Sequence, residues 1–414
     1  MRALGGAAAP ISALPTLAVL TLAYVLSQFF RTALAVVAPE IARDLGLDAA
    51  GLGILSSAWF WAFAAAQIPI GVALDRFGPR RTVAALFAAA GLGCAGLAMA
   101  PGLGVAILGQ VLIGIGCAPV FMGALVVLTR FYDQQRFAFL AATLLAIGSG
   151  GTLIGATPLA LAAQALGWRG AFLGMGGIVL AVAALIALVV RDAPEGAAAH
   201  QGRESLGQAV GGVLAVLRNR SLWAIVPMSF TGYAVLVTVR GLWAGPYLAD
   251  RFGLGPVERG NALLVVSAAM MLGTLAYGAL ERRLDRRREP VLAGTAVAIL
   301  MLLLLALVPV GSAAFATALL AAFAFTGMTY ALLMAQGRRF MAEGEVGRGL
   351  TFLNGACFTG AALIQAASGV VVELARAAGA GPDGTYGALF LFLAAILAAA
   401  LLAYRRSADL RLSS

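Results

Sequence analysis

The chain has 414 residues, 62% of them hydrophobic and 11% charged, with a formal net charge of +10. Soluble domains hold about 45–50% apolar and about 25% charged residues, so this composition excludes a water-solvated globular protein and indicates an integral membrane protein.

Apolar runs of about 20 residues recur along the whole chain, which specifies membrane-spanning helices rather than a barrel. Twelve spans are predicted, at 15–38, 51–74, 82–100, 104–128, 138–162, 169–190, 222–247, 260–280, 290–309, 312–336, 349–373 and 385–404. The first run is too long, and too polar at its far end, for a signal peptide, and it is read as a retained helix. It contains Arg31, eight residues before Pro39. At 1.5 Å per residue that is roughly 12 Å from the helix end, near the bilayer centre. A guanidinium at that depth costs about 2.5–3.5 kcal/mol on insertion scales, and such residues face a water-filled cavity or an ionic partner.

Spans 2 and 3 are joined through GVALDRFGPRR at 71–81. Asp75 can pair there with an arginine or with the partially positive end of a helix, and the glycines permit a tight turn. Span 4 holds Gln110, Gly114, Gly116 and Ala118, the glycines being suited to close helix packing. Span 6 is followed by a polar segment, 191–220, which carries His200, the only histidine. No buried histidine is therefore available for proton chemistry. Span 7 contains a second arginine, Arg240, at a depth comparable with that of Arg31. Cys94, Cys117 and Cys357 fall inside predicted spans without metal-site spacing. They read as small apolar residues, and no metal, cofactor or catalytic residue is expected.

All 28 basic residues are arginine. Twenty-one lie before span 1, after the even-numbered spans or at the C-terminus. Five, namely Arg43, Arg169, Arg251, Arg259 and Arg376, lie on the other side. By the positive-inside rule both termini are cytoplasmic. The surplus charge then faces anionic lipid headgroups, and nucleic acid is not an expected partner.

The two halves repeat. PEIARDLGL at 39–47 matches PYLADRFGL at 246–254, GVALDR at Gly71 matches GALERR at Gly278, and Gly167 in GWRGAF matches Gly384 in GTYGAL. Arg136 with Gly148 likewise matches Arg348 with Gly360, and the offset stays within about 206 to 217 residues. Six spans, a linker and six more spans of the same orientation form a parallel repeat. The expected units are a six-helix bundle over 1–190, a cytoplasmic linker over 191–220 and a second six-helix bundle over 221–414. One offset relates Arg31 to Arg240 and Tyr24 to Tyr233. Each tyrosine lies about two helical turns before its arginine, on the same face.

GVALDRFGPRR resembles the loop between the second and third helices of the major facilitator superfamily, G-x-x-x-D-R-x-G-[RP]-[RK]-[RK], and GALERRLDRRR at 278–288 is a weaker copy. The resemblance covers essentially the whole chain. It implies an all-α membrane protein of about twelve helices in two bundles: a transporter and not an enzyme, monomeric and multi-pass, in a bacterial-type inner membrane. It also implies that Gly71, Asp75, Arg76, Gly78, Arg80 and Arg81 gate the conformational change, holding an outward-facing state through ionic contacts on the cytoplasmic side. In the fourth helix the family often carries R-x-x-x-G-x-G-x-A, whereas Gln110 stands at the arginine position here. Proton coupling through that arginine is therefore not carried over. YVLSQFFRTALAVVAP resembles helix 1 of the organic phosphate antiporters and anion:cation symporters, and VRGLWAGPYL resembles helix 7 of the phosphate antiporters. Carried over by position, Arg31 and Arg240 become anion ligands. The antiporters' histidine in helix 5 and the symporters' acidic residue in helix 1 or 4 have no counterpart, which leaves the coupling ion open.

Two guanidiniums across one cavity repel unless a negative charge lies between them, and their planar forks fit a carboxylate or phosphate. All 18 acidic residues fall in loops, termini or near helix ends, so no internal carboxylate is expected at their depth. The alternatives are an arginine pair that merely holds helices together, or snorkelling. The expected function is alternating-access transport of a small organic anion, a carboxylate or organic phosphate. Its ligands would be Arg31, Arg240, Tyr24, Tyr233, Gln28 and Asn354, with Gln67, Gln110, Tyr330 and Gln365 as further polar residues on the path. The expected partners are that small molecule and membrane lipids. Other cargoes stay open: copper through Met228, Met270 and Met271, although Met is ordinarily core filler, or a vitamin or lipophilic drug through Trp59, Trp61 and Trp223. A non-transporting membrane sensor is the remaining alternative.

Overall fold

The computed structural model describes residues 13–192, 207, 220–283, 287–341 and 346–407, and among them the chain is helical without a strand. In lipid every backbone N–H and C=O must be satisfied inside the segment, which leaves the helix as the element for such apolar runs. The first half forms α1 (Ala13–Leu45), α2 (Ala49–Ala98), α3 (Leu103–Phe131), α4 (Gln134–Ile154) and α5 (Thr157–Val189). The second half forms α6 (Val226–Thr238), α7 (Ala244–Phe252), α8 (Pro256–Arg283), α9 (Arg288–Leu307), α10 (Ala313–Thr326), α11 (Tyr330–Arg338), α12 (Val346–Ala377) and α13 (Pro382–Tyr404). A π-turn over Val239–Trp243 joins α6 to α7.

Ten helical runs among the described residues are long and apolar enough to cross a membrane, against twelve predicted spans. The difference lies in two of them. α2 has 50 residues, roughly 75 Å at 1.5 Å per residue, which is more than twice the ~30 Å hydrocarbon core. It is broken at Gly78, where φ is 78°, a left-handed conformation that a Cβ disfavours. Across this turn Thr82 Oγ1 donates to Ala73 O at 3.1 Å. The run Phe139–Val189, 51 residues long, is broken in the same way at Gly167, where φ is 70°. Each long run therefore holds two predicted spans, joined by a single glycine rather than a loop. Predicted span 5 is itself interrupted between α4 and α5. Pro158 begins α5 without an N–H to offer the preceding turn. Predicted span 10 is interrupted at 327–329, where the Gly327 N–H caps α10 on Phe323 O.

The helix ends sort onto two faces. On one, Thr16 at the start of α1 donates to Val189 O at the end of α5 (3.4 Å) and accepts from Arg191 N (3.3 Å). The Gly78 turn lies beside them against Asp192. We call this the terminal face. On the opposite, distal face, Trp168 Nε1 donates to Asp44 Oδ2 (2.8 Å), and Arg169 donates to Ala98 O (2.7 Å) and Ala100 O (3.0 Å). Apolar side chains such as Leu92, Leu108, Leu188, Leu307 and Leu402 remain exposed, as suits contact with acyl chains.

The halves meet at their distal ends, where α1 packs on the π-turn and α7, α2 on α12, and α5 on α8. Ala49 N donates to Glu373 Oε2 (3.1 Å), Ser56 Oγ to Gln365 Oε1 (2.5 Å) and Thr157 Oγ1 to Asn261 Oδ1 (2.9 Å). Arg259 Nη2 donates to Glu40 Oε1 (2.5 Å) and Val36 O (3.1 Å). Arg259 was assigned to the arginine-poor side by sequence, but it is not a loop residue in water: it is 4% exposed, and the carboxylate from the other half makes that burial tolerable. Pro39 lacks an N–H, so Ala35 O loses its helical donor. α7 closes on that carbonyl through Gly245, where a Cβ would lie 1.9 Å from the oxygen.

Candidate functional site

Arg31 is half-buried on α1. Its guanidinium stands 5.7 Å from the centroid of Trp59, 5.5 Å from Phe63 and 5.3 Å from Phe358. Trp59 and Phe63 are four residues apart on α2, hence on one face, and Phe358 comes from α12 of the other half. The Phe63 and Phe358 ring centroids are 4.4 Å apart. Arg31 Nη1 also donates to Tyr233 Oη on α6 at 3.2 Å. These ring distances permit cation–π attraction, which holds a guanidinium without neutralising it. Its Nε is buried and makes no hydrogen bond among the described residues.

Tyr233 continues this cluster. Its ring centroid lies 5.5 Å from that of Tyr330, whose hydroxyl donates to Asn354 Oδ1 at 2.7 Å. Arg31, Tyr233, Tyr330 and Asn354 thus form one connected run through α1, α6, α11 and α12. Gln28, one turn before Arg31, is 9% exposed, and its Oε1 is buried without a donor among the described residues. Tyr24 is different. It is 4% exposed, packs on Phe121 at 5.0 Å and presses on α4 at Gly148, where a Cβ would be 2.1 Å from its ring. The repeat equates the two tyrosines, but Tyr233 crosses to the arginine of the other half whereas Tyr24 is packed within its own.

Arg240 sits in the π-turn and is 1% exposed. Its Nη1 donates to Ser267 Oγ at 3.3 Å, while Nε and Nη2 find no partner among the described residues. π-turns inside α-helices recur at functional sites. Among the described residues, ion pairs lie at helix ends: Glu40 with Arg259, Asp250 with Arg376, Asp383 with Arg251, and Asp44 with Arg43. Neither Arg31 nor Arg240 shares in one of these.

Toward the terminal face, on the same helices as the cluster, lies a cavity of about 310 Å³. It is lined by Ala64, Gln67 and Ile68 of α2, Phe230 of α6, and the α12 stretch from Thr351 to Thr359. Of the other polar candidates, Gln365 is bound to Ser56 and Gln110 is buried on α3. Phe63, Phe358 and Ser267 belong to these contacts without having been named from the sequence, which offered Trp59 only for a vitamin or drug cargo. The paired aromatics at 59 and 63 were a visible signal, whereas nothing local marks Phe358.

The stretch 71–81, helical about the Gly78 turn, is tied to its own half. Arg80 N donates to Asp192 Oδ1 (2.7 Å) and Arg80 Nε to Ala187 O (2.6 Å). A Cβ on Gly78 would lie 2.5 Å from the Asp192 carboxylate. Arg76 lies over Phe77, Arg81 is exposed, Asp75 is half-buried, and open space surrounds Gly71. Residues 284–286 of the weaker copy and His200 lie outside the described residues.

The sequence model of the Major Facilitator Superfamily matches residues 20–366. A probable sulfoacetate transporter from Cupriavidus necator is 27% identical over 43% of this chain and 42% of its own. A probable galactarate/D-glucarate transporter from Escherichia coli is 27% identical over 48% of this chain and 45% of its own. The hexuronate transporter of Bacillus subtilis is 26% identical over 64% and 63%. The chain thus matches less than half the length of the first two relatives and just under two thirds of the third. Among solved structures, a bacterial homologue of the human lysosomal transporter Spinster superposes with a TM-score of 0.74 at 17% identity, covering 97% of this chain and 96% of that one. The nucleoside transporter NupG superposes with a TM-score of 0.75 at 14% identity, covering 96% and 100%. These two likenesses are of fold alone.

Proposed function

This chain belongs to the Major Facilitator Superfamily, and from that membership we propose that it is a secondary transporter that carries a small organic anion by alternating access, with Arg31 as the anion's ligand. The observation that carries the reading is the environment of Arg31. A mid-membrane guanidinium is held by three aromatic faces and one hydroxyl, with no acid beside it among the described residues. Leaving a charged donor unpaired in a low-dielectric site is costly, and a bound carboxylate would remove that cost through two parallel charge-assisted hydrogen bonds. The cargo words in the relatives' names, sulfoacetate, galactarate, glucarate and hexuronate, are all anions and support the same class.

The arginine excess on the terminal face supports a cytoplasmic assignment for that face and for both termini. The conformation is then closed to the outside at the distal contacts and presents its cavity toward the cytoplasm. Two bundles, 1–190 and 221–414, would rock about the central site. Gln28, Tyr233 and Asn354 orient the cargo. Arg240 adds positive potential from within the closed contact and would reach the anion when that contact parts. The stretch 71–81, tied to Asp192 in this conformation, would exchange partners as the cytoplasmic side closes.

The test is uptake into proteoliposomes of a panel of carboxylates, sulfonates and organic phosphates by the unaltered protein, Arg31→Ala and Arg240→Ala. Loss of two charge-assisted bonds, each about 1.5–3 kcal/mol, predicts at least a 100-fold loss of transport efficiency for Arg31→Ala. Unchanged half-saturation for a carried anion in both variants would overturn the reading.

A further inference from the structure

We propose that the cargo is an aromatic monocarboxylate rather than a polyhydroxylated acid, an inference that rests on the anion reading of Arg31. Charge comes first. Of the two arginines on this path, Arg31 is half-buried, whereas Arg240 is 1% exposed behind the distal contact. A second carboxylate on the same molecule would shed its water with no cation to meet it, which is unfavourable. One anionic group is what the site accommodates.

The walls set the rest of the molecule. Three ring faces surround the Arg31 guanidinium, and Phe63 of one half packs at a tilt of 36° on Phe358 of the other. The neighbouring cavity lies on the same helices about one turn toward the terminal face: Ala64 follows Phe63, Phe230 precedes Tyr233 by three residues, and Gly355 precedes Phe358 by three. Its walls are chiefly Ala64, Ile68, Phe230, Phe352 and Ala356, with polar groups from Gln67 and two threonines. Its volume, about 310 Å³, falls at the small end of the range for small-molecule sites.

Each hydroxyl of a sugar acid brings one donor and two acceptor lone pairs. Four or five of them in this cavity would outnumber the polar groups that could replace their water, and unpaired buried hydroxyls oppose binding. A flat ring has the opposite requirement. It exchanges water for ring faces and aliphatic walls, with offset or edge-to-face packing on Phe358, Phe230 or Phe352. Its carboxylate then reaches Arg31 along the side that the three rings leave free.

The experiment is counterflow of labelled benzoate in proteoliposomes containing the full chain, with phenylacetate, D-glucarate, galactonate and benzamide as competitors. Benzoate is expected to be carried and to be displaced by phenylacetate. The two sugar acids should compete about 10- to 100-fold more weakly, the discrimination that an apolar wall provides. Benzamide, flat but uncharged, should not compete. Phe358→Leu and Phe352→Leu are each expected to raise the half-saturation for benzoate several-fold. If either variant does not fold, the competition in the unaltered protein decides. Glucarate or galactonate carried as well as or better than benzoate overturns the aromatic inference and leaves the anion reading standing. Benzamide competing as well as phenylacetate, or no anion of either kind carried, overturns the anion reading and this inference with it.

Discussion

Arg31 is held by faces rather than by charges. Cation–π attraction is worth about 0.5–1 kcal/mol when exposed and about 2 kcal/mol when desolvated, so several rings can position a guanidinium while leaving its charge for a ligand. A carboxylate at the same place would position it as well but would cancel it. Arg31→Lys keeps the charge and loses the planar fork, so the half-saturation for a carried anion should rise about 10-fold with the protein still folded. Tyr233→Phe removes the one hydroxyl that meets Arg31, a net loss of about 0.5–1.5 kcal/mol, read as a 2- to 10-fold weaker uptake. Tyr24→Phe should leave uptake kinetics unchanged, because that ring is packed against Phe121 and Gly148 within its own half. Equal effects at the two tyrosines would restore the symmetric role that the repeat suggests.

Among the elements, α1 and α7 depend most on one atom's clearance. Pro39 leaves Ala35 O without a helical donor, and Gly245 closes on it with no room for a Cβ. Gly245→Ala is expected to push α7 off α1 and open the distal contact. A membrane-impermeant maleimide should then label Ser56→Cys, which is buried in that contact, faster than in the Gly245 parent. The native cysteines are all buried and give a low background. The stretch 71–81 of α2 offers a paired contrast. Gly78→Ala meets both a left-handed φ and the Asp192 carboxylate, and should cost about 1–2 kcal/mol of stability, visible as a lower Tm. Gly71→Ala enters open space and should melt with the unaltered protein.

For the whole molecule, the two halves meet at the distal contact, and the ion pair that joins them there among the described residues is Glu40 with Arg259. Arg259 is nearly sealed from solvent while the Glu40 side chain keeps 21% exposure, so breaking the pair should cost about 1–3 kcal/mol rather than the larger figure for a fully buried pair. Glu40→Gln and Arg259→Gln are each expected to shift the conformational equilibrium toward distal opening by about 5- to 100-fold, read by the same Ser56→Cys labelling. A double-mutant cycle separates their coupling from the two single effects. Additive effects would show that the pair is not a latch.

Some of this was legible along the chain because it is local. Run length and charge count mark the membrane class and the twelve spans, the offset repeat relates Arg31 to Arg240, and the survey of acids left no carboxylate at their depth. Tertiary structure decided which side chains meet: Tyr233 with Arg31, Phe358 closing the aromatic box, Arg259 buried against Glu40, and single glycines in place of two loops. The physical reason is the solvent. In water a helix shows its inner face by an apolar stripe, but in lipid the outer face is apolar too, so periodicity along these spans does not say which side looks inward. Only the packing of helices distant in sequence turns an apolar ring such as Phe358 into a wall of the site.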